Sequence, residues 1–132
     1  MVKGTAARKV VRIETARYAD NNGPIDRVHL ARQTLGDQSL AHEVLHMYGE
    51  MAATYFSRLE TSTNRNDLMV NLHALKGASM GVGAFRLAEL AKTAEEELKA
   101  GLPVNPERVH DVGIAVEEVR AFIADTLVDV PA

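Results

Sequence analysis

Residues 72–85 read LHALKGASMGVGAF, and the fold turns on where this stretch is divided. Its apolar positions recur three and four apart, the repeat of one helix face, until Gly81-Val82-Gly83 interrupts with two glycines. Extended backwards, the stripe is Leu68, Leu72, Leu75, Ser79 and Val82, with Asn64 or Asn66 placed to open the helix. Forwards, Ala84 to Ala100 carries a second stripe of Leu87, Leu90, Ala91, Ala94 and Leu98, stopped by Gly101 and Pro103. Two helices joined by a short glycine turn run antiparallel, and each needs further helices to cover its apolar face.

The flanking sequence supplies them. Pro24 opens a modest helix from Ile25 to Leu35 that Gly36 closes. Asp37 can cap a long helix running to about Glu60, with an apolar stripe of Leu40, Val44, Met47, Met51, Tyr55 and Leu59. Pro106 starts a last helix carrying Val109, Val112, Val116, Val119 and Ile123. No strand pattern competes after residue 24. The expectation for residues 25–128 is an all-α fold, an up-down-up-down four-helix bundle with a short additional N-terminal helix capping it.

Residues 1–24 read differently. Residues 1–22 hold five basic residues (Lys3, Arg8, Lys9, Arg12, Arg17) against Glu14 and Asp20, a net of +3, which leaves −6 for the rest of a chain whose total is −3. Val10-Val11-Arg12-Ile13 could form a short strand, but no partner strand follows. This segment is expected to be mobile or loosely docked.

Composition narrows the chemistry. A chain of 132 residues fits one domain with a real core. The absence of cysteine removes disulfides, thiolate metal sites and cysteine nucleophiles. No apolar run approaches the roughly 18 residues of a membrane span, and no apolar segment follows the first basic residues as in a secretory signal. A cytoplasmic location is expected, without membrane contact. The pI of about 5.9 gives no reason to expect nucleic acid.

Two segments compete for the chemistry. Residues 42–46 read HEVLH, which matches H-E-x-x-H, two imidazoles on one helix face with a glutamate as general base beside a zinc ion. On a helical wheel Leu40, Val44, Met47 and Met51 cluster within about 60°, while His42 and His46 fall roughly 200° and 240° from Leu40, away from that stripe. Glu60, far along the same helix, cannot complete a coordination sphere with them. A pattern of three fixed positions is weak, and the reading here is a solvated histidine pair with no metal.

The helix containing residues 72–82 offers more. With Leu68 at 0°, its stripe stays within roughly 40° on either side, while Met69, His73, Lys76, Gly77 and Met80 lie at about 100°, 140°, 80°, 180° and 120°. Solvent therefore meets a histidine with a lysine three residues on and a glycine one turn on. Gly77 costs about 1 kcal/mol relative to alanine inside a helix, which makes sense where a partner must approach His73 closely. Neutral imidazole is a nucleophile near pH 7, an ammonium can attend an incoming phosphoryl group, and methionines suit an adaptable docking surface. Ser79 reads as a small packing residue, Glu95 as either a partner of His73 or a plain surface glutamate, and His29 and His110 carry no signal beyond helix surface.

His73-x-Leu75-Lys76-Gly77-Ala78-Ser79, followed by Gly83-Ala84, Leu87, Leu90 and Glu95, resembles the signature of the histidine-containing phosphotransfer (HPt) domain. The motif covers residues 73–95, and the helical layout extends the resemblance to about 25–127. It implies a monomeric helical bundle in a multistep two-component phosphorelay, taking a phosphoryl group from a receiver-domain aspartate and passing it to another. By that resemblance His73 is phosphorylated, Lys76 is the phosphate-stabilising cation, Gly77 the steric opening, and Glu95 the group that hydrogen-bonds the histidine Nδ1. Receiver domains of response regulators and of a hybrid histidine kinase are the implied partners, docking around His73 with Met69 and Met80. Ala94 and Ala91 depart from the family's larger aliphatic and its frequent cysteine, both at core positions. No glycine-rich nucleotide loop is present, so a phosphoryl carrier without cofactor is expected, with Mg²⁺ on the partner receiver. The competing reading is an interaction module that binds receivers without transferring phosphate.

Overall fold

The structure of the chain, a computed structural model, describes residues 23–128. The N-terminal segment 1–22, with its candidate strand and its expected looseness, lies outside the described residues. Among them five helices and no strand form: α1 (Arg27–Gln33), α2 (Gln38–Thr61), α3 (Arg65–Val82), α4 (Phe85–Lys99) and α5 (Pro106–Val128). α2 packs on α3, α3 on α4, α4 on α5, and α5 returns to α2, so the four long helices close an antiparallel bundle.

Local chemistry sets the ends. Asp37 Oδ1 accepts from the Leu40 N–H at 3.0 Å to start α2, and Asn64 Oδ1 accepts from the Asp67 N–H at 2.8 Å to start α3. Asn64, not Asn66, is therefore the cap. Gly83 ends α3 with φ 93°, a left-handed residue that lets the Ala84 N–H reach Ser79 O at 2.8 Å.

α1 is shorter than the expected Ile25–Leu35. Asp26 rather than Pro24 opens it, accepting from the His29 N–H at 3.0 Å, and both Leu35 and Gly36 are left-handed, so the helix closes before Leu35. α1 lies across the end of the bundle where α3 stops and α4 begins. The Asp26 N–H donates to Gly83 O at 2.9 Å, and His29 Nε2 meets Gly81 O at 3.1 Å with its ring edge-on to Phe85. Arg27 donates to Thr126 Oγ1 at 2.7 Å and stacks its guanidinium on Phe122, tying α1 to the end of α5. His29, expected to be plain helix surface, is thus part of the cap.

The stripe expected for α2 is a correction. Leu40, Met47 and Met51 are exposed, Val44 and Tyr55 half-buried, and only Leu59 belongs to the core. The buried face is instead Leu45, Tyr48, Gly49, Ala52 and Leu59. α2 carries two apolar stripes, and the one with small residues is buried because it lets neighbours close in. A Cβ on Gly49 would touch Ile123 Cδ1 at 3.4 Å. The Tyr48 hydroxyl also finds Ser79 Oγ at 2.6 Å inside the core.

The other stripes stand. Leu68, Leu72, Leu75, Ser79 and Val82 are all buried. On α4 Leu87, Ala91, Ala94 and Leu98 are buried with Leu90 half-buried, and on α5 Val112, Val116, Val119 and Ile123 are buried with Val109 half-buried. The alanines at 91 and 94 occupy core positions where their small side chains leave α4 close to its neighbours. Arg65 donates to Leu98 O at 3.2 Å and Leu102 O at 2.8 Å, fastening the start of α3 to the end of α4. Arg108 grips both oxygens of Glu97 at 2.8–3.1 Å and fastens α4 to α5.

Candidate functional site

His73 stands in the middle of α3, where the apolar stripe turns its opposite side to the core and leaves the imidazole 66% exposed. Glu95 on α4 lies beside it with 3% of its surface exposed. The two meet through His73 Nδ1 and Glu95 Oε2 at 3.0 Å. Of the two readings open for Glu95, the partner of His73 is the one that forms.

Glu95 holds more than the histidine. Lys76 Nζ lies 3.1 Å from Oε1, and Lys99 Nζ lies 3.3 Å from Oε2. Burial pushes the Glu95 carboxyl up, but hydrogen bonds from Lys76, Lys99 and His73, with the charge of Lys76, outweigh it and hold the group below its ordinary value. Glu95 is therefore ionised at neutral pH and can only accept. The proton between Nδ1 and Oε2 belongs to the imidazole. Nδ1–H donates, and in the neutral ring Nε2 carries the lone pair.

Lys76, expected as a cation beside His73, lies next to it and is paired with Glu95. Its side chain is 27% exposed and drawn onto Glu95. Gly77 does face open space, since a Cβ there would meet nothing within 4 Å. Met80 is exposed on the same side, whereas Met69 is half-buried and packs partly against the core. The structure thus brings together His73, Lys76 and Glu95, with Gly77 and Met80 beside them on α3.

Two contributors were missed from sequence. Lys99 stands four residues after Glu95 on α4, the spacing at which helical side chains meet, so that signal was available. Tyr48 supports α3 from α2 through Ser79, and the misassigned stripe concealed it.

HEVLH occupies the first half of α2. Its Leu45 is buried, His42 half-buried and His46 exposed, with His46 Nε2 3.8 Å from Glu50. The histidines flank the real core face of α2 rather than opposing it as the stripe assumed from sequence implied. Among the described residues no group of three or more His, Asp or Glu side chains is placed to hold a metal ion.

The family model of the Hpt domain matches residues 43–122, from within α2 to near the end of α5. The chain belongs to the Hpt domain family. No curated protein and no solved structure matches it. The matched span begins at Glu43, the glutamate of HEVLH, so four of that pattern's five residues lie within it. Hpt domains are phosphoryl-carrying modules of histidine phosphotransfer in phosphorelays, and they engage receiver domains. Among the described residues no helix is long and apolar enough to cross a membrane.

Proposed function

We propose that this Hpt domain takes a phosphoryl group onto His73 Nε2 from an aspartyl phosphate of one receiver domain and gives it to the aspartate of another. The donor would be the receiver of a hybrid histidine kinase or of a response regulator. The observation that carries this reading is the bond from His73 Nδ1–H to the buried carboxylate of Glu95 at 3.0 Å. It directs the Nε2 lone pair outward from an exposed ring.

In the step, the Nε2 lone pair forms an N–P bond while the P–O bond to the receiver aspartate breaks, and the leaving carboxylate keeps that electron pair. The Nδ1 proton stays on the ring, donated to Glu95 throughout, so no proton needs to move at the acceptor. Return transfer reverses the two bond changes. Lys76, tethered one turn from His73, supplies positive charge beside the transferred group. Gly77 leaves room for the receiver to approach α3, with Met80 and the exposed part of Met69 as apolar contacts at the edge. Mg²⁺ and most of the charge neutralisation belong to the receiver's acidic pocket. The protein acts as a monomeric cytoplasmic carrier, with neither nucleotide nor kinase chemistry of its own.

The test is labelling by a receiver carrying ³²P-phosphate, followed by addition of a second, unlabelled receiver. Wild-type protein is expected to take up the label and release it to the second receiver. His73→Gln should take up none while keeping its circular dichroism. Equal labelling of that variant assigns the acceptor to another residue.

A further inference from the structure

We propose that Lys99 is a positioning residue that keeps the His73 imidazole neutral, because it shares with that ring the single carboxylate oxygen Oε2 of Glu95. This rests on His73 being the phosphoryl acceptor. A buried carboxylate bonded to an imidazole favours the imidazolium. In that form both ring nitrogens carry protons, and Nε2 has no lone pair with which to attack. Glu95 thus aligns the ring and at the same time threatens its nucleophilicity.

The arrangement of cations answers this conflict. Oε1 is occupied by Lys76 from α3, and Oε2 accepts from both His73 Nδ1 and Lys99 Nζ, at 3.0 and 3.3 Å. One carboxylate between two ammoniums leaves the cluster one positive charge in excess before the ring is counted. A ring proton would add a third cation, whereas a phosphoryl group brings negative charge that the excess favours. Without Lys99 the carboxylate and Lys76 cancel, and the barrier to protonating the ring falls.

Lys99 is not an ordinary surface partner of Glu95. Exposed pairs four apart on a helix contribute a few tenths of a kcal/mol because both ends remain in water. Here the lysine is 60% exposed but the acceptor is 4% exposed, and the oxygen it touches is the one bonded to the ring. The charged groups bonded into the cluster with His73 are Lys76 on its own helix and Glu95 and Lys99 on α4. Lys92, exposed one turn before Glu95, makes no bond to the carboxylate. On the other side of α3, α2 turns its Tyr48 hydroxyl inward to Ser79.

The experiment pairs two readouts on wild type, Lys99→Met and Lys99→Arg. One is the ¹⁵N titration of the His73 ring in the free protein, and the other is the pH profile of label uptake from a phosphorylated receiver. In Lys99→Met both the ring titration and the acid limb of uptake should move up by about one pH unit, with the alkaline plateau unchanged. Lys99→Arg should retain the wild-type profile. A ring titration in Lys99→Met that overlays wild type, or an uptake loss equal at every pH, overturns the role of Lys99 alone. A protein that takes no label at His73, whatever its titration, overturns the acceptor reading and this role with it.

Discussion

Tyr48 of α2 and Ser79 of α3 share a 2.6 Å hydrogen bond between two buried hydroxyls, within two turns of His73 on the same helix. Burial pushes the Tyr48 phenol up from 10.0 to about 12, with the Ser79 bond opposing part of that rise. An acid whose folded pKa is raised contributes stability that is intact below its unfolded pKa and lost as pH climbs through the folded one. Urea unfolding of the wild type should therefore weaken from about pH 10 towards 12, the interval the two values define. Tyr48→Phe should lower stability near pH 7 by about 1–2 kcal/mol, since Ser79 loses its partner, and should remove that portion of the alkaline loss. An unchanged alkaline slope in the variant assigns the loss to other groups.

Glu95 has the opposite sign. Its folded pKa is depressed below 4.5 by Lys76, Lys99 and His73 acting against burial. Its contribution should be fully present above that value and disappear as pH falls through the lower folded one. Glu95→Gln cannot supply a charged acceptor to two ammoniums, and a loss of about 1–3 kcal/mol near pH 7 is expected. Thermal unfolding followed from neutral to acid pH should show the two proteins converging as Glu95 protonates. Parallel curves would mean that the carboxylate contributes no charge-dependent stability.

The contrast between α2 and α3 explains what sequence could show. On α3 the inward leucines and Val82 recur at one helical spacing with small Ser79 in register, so the buried set Leu68, Leu72, Leu75, Ser79 and Val82 was legible from its period even though Val70 and Met80 face outward. On α2 both faces are apolar, and size pointed to Met47 and Met51 although the face with Gly49 and Ala52 is buried. Close approach depends on the partner helix, here on Ile123, which the α2 sequence does not contain. His73, Lys76 and Gly77 could be grouped because they share one helix and its period. The burial of Glu95 could not, because it depends on how α4 rotates against α3. Lys99 was hidden for the same reason: its spacing marks a pair with Glu95, but only the burial of Glu95 makes that pair matter.

His42 and His46 test whether HEVLH carries any function. His46 is exposed and only loosely paired with Glu50 at 3.8 Å, and His42 is half-buried beside the core face. Replacing both by alanine should change stability by roughly 0.5 kcal/mol, the scale of surface substitutions, and leave label uptake unchanged. Purified wild type should hold no stoichiometric zinc by metal analysis. One equivalent of tightly held zinc, lost together with activity in the double variant, would revive the motif as a working site.

Gly77 and Gly83 lie on and just beyond the same helix and should respond in opposite directions. A Cβ on Gly77 meets nothing within 4 Å, so Gly77→Ala should gain up to about 1 kcal/mol of helix propensity. Gly83 has φ 93°, and a Cβ there would lie 2.9 Å from the backbone oxygen of Asp26. Gly83→Ala should therefore lose at least about 1–2 kcal/mol from the left-handed strain alone, and the contact between α1 and the α3–α4 turn should loosen with it. Function should divide the other way. Gly77→Leu keeps its helix and its stability, yet places a bulky side chain one turn from His73 on the face a receiver must approach. Its label uptake should fall well below that of Gly83→Ala assayed under conditions where both remain folded. Wild-type transfer by Gly77→Leu would show that no partner closes on that face of α3, and the docking geometry proposed around His73 would fail with it.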